Sequence, residues 1–323
     1  LKMKKLFKNI LTIFSILLNN HILRKPDFSE KRIFLQGKLF ENVNKKKDKI
    51  KNLKEVEFSV FSQFGEDGII SWLIEKIPNI EKVFLEIGTQ DYWESNTRFL
   101  LKSKNWRGYI IEASKKHVDK IKSQRIYWQH NIKAINTFVD KENINLIIDE
   151  NIKEKSIGLL SIDIDGNDYW VLEQINKLSP AIIICEFNSI FGDLLRLSVP
   201  YKKNFSRQDA HYSNLYFGAS IKAFISMLDN KGYNFVGTAS SGVNAFFVKK
   251  EFEPYFSKNL DENKIFPSIA RDSLDVNGKL THKNLLDSLN QIKELEVFDF
   301  DENRTKKIKD YKKLYSNYWT SYF

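Results

Sequence analysis

Several acidic residues in this chain stand where apolar runs end, which is where a strand hands its cargo to a ligand. Glu86 sits in Val83-Phe84-Leu85-Glu86-Ile87, just before Gly88, and Glu112 closes Tyr109-Ile110-Ile111. Asp163 and Asp165 end the run from Ile157 to Ile164, and Glu186, with Asn188 two positions on, ends the run from Ala181 to Cys185. Gly88 lets backbone approach a ligand closely. An acid at the end of the second strand suits bidentate acceptance from two ribose hydroxyls. The cluster in Asp163-Ile164-Asp165-Gly166-Asn167-Asp168 offers the oxygen ligands that Mg²⁺ prefers. The plainer reading of the same segment is a helix cap, with Asp165 and Asp168 closing a turn before Tyr169. His211, in the long segment 189–216, is the candidate general base, with Asp163 or Asp165 as alternatives. Tyr201, Phe205, Tyr212 and Tyr216 make that segment aromatic, which suits stacking on a sugar face or an ordinary lid core.

The elements that must position these groups alternate. Asp67 is read as the N-cap of a helix carrying Ile69, Ile70, Leu73, Ile74 and Ile77, stopped by Pro78. The strand at 83–87, a helix over 95–104, the strand at 109–111 and a helix around 115–123 follow. A third strand is expected near 125–130, a fourth over 157–164, a helix over 168–177 and a fifth strand over 181–185. Near-continuous apolar strands separated by helices predict a parallel sheet covered on both faces. The rhythm then changes to a helix over 217–230 and two strands, 233–237 and 244–249, around a Ser-Ser-Gly turn. The expected fold is α/β: a doubly wound, mostly parallel seven-stranded sheet with an antiparallel C-terminal hairpin.

The turn after the first strand argues against a phosphate-bearing cofactor. Gly88-Thr89-Gln90-Asp91-Tyr92-Trp93 keeps only the first glycine of G-x-G-x-x-G, and Asp91 and Glu94 would repel a pyrophosphate. The same acidic turn tolerates a cation. S-adenosylmethionine (SAM), a sulfonium without phosphate, fits better than NAD.

Taken together, Ser62-Gln63-Phe64-Gly65-Glu66-Asp67-Gly68, Leu85-Glu86-Ile87-Gly88, Ser95-Asn96-Thr97-Arg98, Trp106-Arg107-Gly108, Ser161-Ile162-Asp163-Ile164-Asp165-Gly166-Asn167-Asp168-Tyr169-Trp170, Glu186-Phe187-Asn188 and Gly242-Val243-Asn244-Ala245-Phe246-Phe247-Val248 resemble a bacterial group of FkbM-type, SAM-dependent methyltransferase-like proteins found among polysaccharide and secondary-metabolite genes. The resemblance spans roughly residues 58–250. It implies a class I methyltransferase (Rossmann-like) fold with SAM at Glu86, Gly88 and Glu112, and Gln63, Asp91 and Asp163 as further cofactor candidates. The chain departs from the usual methyltransferase loop in carrying Gln90 and Tyr92 where further glycines stand. The aspartate cluster also resembles that of metal-dependent sugar O-methyltransferases, which would make Asp163, Asp165, Glu186 and Asn188 the metal ligands. The implied reaction is O-methylation of a sugar hydroxyl on a glycan or polysaccharide precursor. Two other readings compete: a glycosyltransferase using Asp163-Ile164-Asp165 as a metal-binding DxD motif, and a non-catalytic methyltransferase-like partner protein.

Charge divides the chain. Of 51 Lys/Arg and 41 Asp/Glu in 323 residues, the first 55 residues hold 15 and 5, so they carry the whole +10 and the rest is neutral. A nucleic-acid binder is therefore not expected. The organisation read is a basic amphipathic arm over 1–57, a methyltransferase-like domain over 58–250 and a helical appendage over 251–323. In the arm, Leu6, Ile10, Ile13, Phe14 and Leu17 share a helical face that packs on the body or on a second subunit, or meets a membrane surface through residues 1–25. The run Lys45-Lys46-Lys47-Asp48-Lys49 reads as a solvated linker. The lone Cys185 excludes a disulfide framework and fits a reducing compartment. The expected location is cytoplasmic, at the inner face of the membrane where the arm meets lipid.

Overall fold

The computed structural model describes residues 28–269 and 273–322. The amphipathic stretch at 4–23, and with it the arm's choice between body, partner and membrane, lies outside the described residues.

Five strands form the parallel part of the main sheet: β1 (Val83–Ile87), β2 (Arg107–Glu112), β3 (Ile132–Asn136), β4 (Ser156–Ile162) and β5 (Ser179–Glu186). After a two-residue strand β6 (Leu197–Ser198), the hairpin β7 (Tyr233–Thr238) and β8 (Asn244–Lys249) completes the sheet in the order β3-β2-β1-β4-β5-β8-β7. Strand β8 runs antiparallel to both neighbours, and the remaining pairs are parallel. This is the doubly wound, mostly parallel seven-stranded fold that the sequence predicts, with the antiparallel hairpin at its edge.

The apolar runs are continuous because both faces are covered. Leu85, Ile87, Leu160, Ile162, Ile183 and Cys185 point into one core with Val171, Leu172, Phe224 and Leu228. Their neighbours Phe84, Leu159, Ile182 and Ile184 point into the other, with Ile69, Ile70, Trp72 and Leu73. Alternate residues of one strand thus serve opposite layers.

Some elements differ from expectation. The stretch 125–130 is a short helix, Arg125–Gln129, that leaves Trp128 71% exposed, and the third strand is Ile132–Asn136. Only there can Ile132 and Ala134 face the core while Lys133 stays in water. Asp67 does not cap its helix, which begins at Glu66 behind Gly65; its Oδ2 instead accepts the backbone N–H groups of Val60, Phe61 and Ser62. The lysine run is not a free linker. It follows a helix, α1 (Phe28–Lys45), the Lys47 carbonyl accepts the Trp72 indole N–H, and Ile50, Leu53 and Val56 are buried directly after it. The C-terminal segment is only partly helical: Leu285–Ile292 is a helix, but Glu296–Asp299 (β9) pairs with both Arg304–Lys307 (β10) and β6 in a second, antiparallel sheet. Among the described residues no helix is long and apolar enough to cross a membrane.

Candidate functional site

Strand order reverses between β1 and β4, and a crevice opens beyond their carboxyl ends, the usual ligand position in an open α/β sheet. Three cavities adjoin there. One of about 440 Å³ lies under Glu112 and is lined by Gly88, Gln90, His117, Phe138 and Phe205 among others. A smaller one of about 110 Å³ lies along the turn after β1, against Gln63, Glu86, Asp91, Glu94 and Asn96. The third, about 350 Å³, extends over β5 and is lined by Asp165, Glu186, Arg207, Lys283 and Tyr322. Asp163 and Gln90 line all three.

The turn after β1 keeps a glycine-rich path without the glycines. Gly88 has φ +83°, and a Cβ there would come within 1.6 Å of the Asp163 carbonyl oxygen. Gln90 and Tyr92 also take left-handed backbone, at φ +50° and +64°, at a cost of order ~1 kcal/mol or more each. Tyr92 offsets this by full burial, its hydroxyl 2.8 Å from Thr97 Oγ1 and the Arg98 guanidinium bonded to its carbonyl at 2.7 Å. Gly88→Ala is therefore expected to destabilise the fold by about 3 kcal/mol or more, through positive φ and the carbonyl clash together; chemical denaturation measures it.

Glu112, nearly buried, is placed as the sequence predicts. Its Oε2 accepts the Gln90 N–H at 2.9 Å and its Oε1 the Ser114 N–H at 2.8 Å, which aims the carboxylate and leaves each oxygen a further acceptor site toward the cavity. Glu86 has another task. Its oxygens accept Ser95 Oγ at 2.7 Å, the Asn96 N–H at 2.9 Å, the Thr97 N–H at 3.2 Å and the Thr97 hydroxyl. Three of these donors meet Oε2 and one meets Oε1, so Oε1 keeps a further acceptor site beside the small cavity. Burial nevertheless pushes its carboxyl above the usual range. Glu86 thus holds the 95–97 turn, which begins helix Arg98–Lys104 three residues later than expected. Gln63 and Asp91 both reach the cleft wall, Asp91 with Lys120 Nζ at 3.2 Å.

At the other end, Asp163, Asp165 and Glu186 each bring a carboxylate oxygen within 4.8 Å of the others. Burial, then repulsion from Asp165 and Asp168, pushes Asp163 up to about 8, and burial with repulsion from Asp163 raises Glu186 well above its usual range. Glu186 Oε2 is buried without a hydrogen-bond partner. Asp168 proves to be the turn-closer: its two oxygens accept the Ile164 and Gly166 N–H groups at 2.7 and 2.9 Å, so it fixes the loop that presents Asp163 and Asp165. Asn188 lines the same cavity as these three acids; its amide donates to the Leu215 and Phe217 carbonyls, and its Oδ1 accepts the Ile190 N–H and keeps one further acceptor site. His211 is also not among the residues lining the cleft, because its Nδ1 is 2.7 Å from Ser213 Oγ and its ring lies against Tyr212.

Sequence reading missed Arg207, whose Nη1 lies 2.7 Å from Asp165 Oδ1, and the C-terminal Lys283, Asn284 and Tyr322 that wall the third cavity. Nothing local marks them; the only signal for Arg207 was its place in the long segment over the sheet's end.

The raised carboxyls give a pH prediction. Asp67, driven up by burial to about 7, holds a proton in the folded state that the unfolded chain releases near 3.8. Its contribution is complete at low pH and is lost as pH rises through about 7, and Asp163 and Asp168, raised to about 8 and about 6, act in the same direction. Cation-free protein should melt at a higher temperature near about pH 5.5 than near about pH 8, with a shallower fall in Asp67→Asn. A rising Tm over that interval would contradict the assignment.

No protein-family model matches the chain, and no curated protein matches it. Among solved structures it is similar to the O-methyltransferase from Bacillus cereus in complex with SAH (18% identity, 70% of this chain and 93% of that one, TM-score 0.37). It is also similar to the N-terminal domain of EvdMO1 with SAH bound (11% identity, 66% and 95%, TM-score 0.39) and to a putative O-methyltransferase from Klebsiella pneumoniae (13% identity, 72% and 94%, TM-score 0.37).

Proposed function

We propose that this protein is a SAM-dependent methyltransferase acting on a hydroxyl, with a divalent cation at the acceptor side and a sugar of a glycan precursor as the acceptor. One observation carries the reading: the two cavities at the switch point are lined by Glu86, Asp91, Glu94, Glu112, Asp163 and Asp165 and, among the described residues, by no lysine or arginine. Such walls repel a pyrophosphate and attract a cationic nucleoside.

Glu112 accepts the two ribose hydroxyls, and the backbone at Gly88 passes close beneath the ligand. Asp91 and Glu94 supply negative charge beside the small cavity, where an ammonium group would sit. Bound SAM supplies an electrophilic methyl group. The chain's work is then alignment, since a single in-line displacement needs its two reacting atoms held at near-attack distance. Asp163 borders both the nucleoside and acceptor cavities, so its carboxylate orients the acceptor hydroxyl at their junction and accepts the proton that the hydroxyl oxygen gives up as it takes the methyl group.

Asp163, Asp165 and Glu186 fit a divalent cation. Three carboxylates share one small space, one buried oxygen has no partner, and their mutual repulsion calls for positive charge. A cation bound there would neutralise the cluster and acidify an acceptor hydroxyl. Arg207 pairs with Asp165, and its charge also favours the ionised forms of Asp163 and Glu186 without offsetting what raises them.

The test is methyl transfer from radiolabelled SAM to a panel of sugar acceptors, with and without EDTA. Activity is expected to disappear in EDTA and return with Mg²⁺. As a check that needs no acceptor, Mg²⁺ should raise the Tm near about pH 8 in the native chain and not in Glu186→Gln. Full activity in EDTA, with no such stabilisation, removes the cation while leaving the nucleoside site standing.

A further inference from the structure

Helix α1 wears its apolar residues on the outside. Leu35, Leu39 and Val43, at i, i+4 and i+8, are 62%, 66% and 56% exposed, and Phe40 beside them is 57% exposed. A helix on a globular body normally turns that stripe inward. Here the inward face is acidic instead: Glu41, almost fully buried, pairs with Lys104 at 2.7 Å, and Glu30 pairs with Lys102 at 2.5 Å. Basic residues border that stripe: at 100° per residue Arg32 falls within it and Lys31, Lys38 and Lys45 line one side, where Lys38 also reaches Glu41 at 2.5 Å and Lys45 reaches Glu75 at 3.3 Å.

From this arrangement we infer that the outer face of α1 docks on an anionic lipid bilayer, lying in the headgroup plane with Leu35, Leu39 and Val43 toward the acyl chains. An apolar stripe with basic residues along its border is the pattern an interfacial helix requires, the basic groups meeting anionic headgroups. The chain preceding α1 carries the same character: residues 1–27 contain six Lys/Arg and a single Asp. A second copy fits less well. Pairing two such faces would set basic borders against each other, and one 18-residue helix, about 27 Å long, offers less area than the ~800 Å² per partner of a stable interface. None of these side chains lines the cleft, so the inference stands apart from the methyl-transfer reading.

The experiment is flotation of the full chain with phosphatidylcholine vesicles, pure or containing about 30% phosphatidylserine. The native protein should float with the anionic vesicles, and less so at high salt. Leu35→Ser/Leu39→Ser/Val43→Ser, which leaves residues 1–27 untouched, should lower that partitioning by about tenfold or more. The single exposed change Leu39→Glu should act in the same direction, so a folding defect in the triple variant cannot explain the loss. Partitioning equal to the native chain in both variants would overturn the inference. So would sedimentation showing a dimer that both variants dissolve, without vesicle binding.

Discussion

Asp163→Asn is expected to lower kcat by about a thousandfold, while SAM affinity changes by less than about threefold. The expectation follows from where Asp163 stands. It lines all three cavities, shares the carboxylate cluster with Asp165 and Glu186, and is held by a turn that Asp168 closes. The asparagine keeps volume and polarity but removes the charge that a cation or an acceptor proton requires. It should also relieve the cluster: with one carboxylate gone, Glu186 loses the nearest repulsion that raises it. The variant is therefore expected to melt at a higher temperature than the native protein near about pH 8 in the absence of a cation. Lost activity with gained stability is the mark of a functional strain, and a residue kept for packing would show the opposite. Single-turnover kinetics and thermal melts read the two halves separately. Near-native turnover would remove Asp163 from the chemistry.

Glu112→Ala is expected to weaken SAM binding by roughly 1.5–3 kcal/mol, a loss of about ten- to a hundredfold, because the site loses its charged acceptor for the ribose hydroxyls. The same carboxylate accepts the Gln90 and Ser114 N–H groups, so alanine also loosens the turn that shapes the cavity. Glu112→Gln separates the effects. It keeps one acceptor and the side-chain volume, and should lose about five- to tenfold in affinity with an unchanged Tm. Equal affinity in all three proteins, measured by calorimetry, would remove Glu112 from the nucleoside site.

What could be read from the amino acids divides along physical lines. Strands β1, β4 and β5 are legible because burial on both faces makes them nearly uninterrupted apolar runs, and the acids closing such runs stand out. Strand β3 is not, because it lies at the sheet's edge and alternates over five residues, whereas the aromatic stretch before it looks more strand-like than it is. The β9–β10 hairpin is hard to read because β10 is charged and largely exposed and β9 is only four residues long, and β9 owes its place to pairing with the two residues Leu197 and Ser198, a contact about a hundred positions away. At the site, residue type gave the chemistry but not the engagement. Glu86 and Asn188 look as available as Glu112 does in sequence; only the 95–97 turn and the carbonyls of Leu215 and Phe217 show how much of each is engaged within the fold. Arg207 meets Asp165 across 42 positions through tertiary folding alone.

The most direct measurement is calorimetric titration of the whole protein with SAM and, separately, with a nucleotide sugar in the presence of Mg²⁺. One molecule of SAM should bind per chain while the diphosphate releases no heat, since the two cavities beside Gly88 carry six acids and, among the described residues, no lysine or arginine. Saturable uptake of the sugar nucleotide with silence toward SAM would mean that those acids serve a metal–pyrophosphate instead, and methyl transfer would have to be given up.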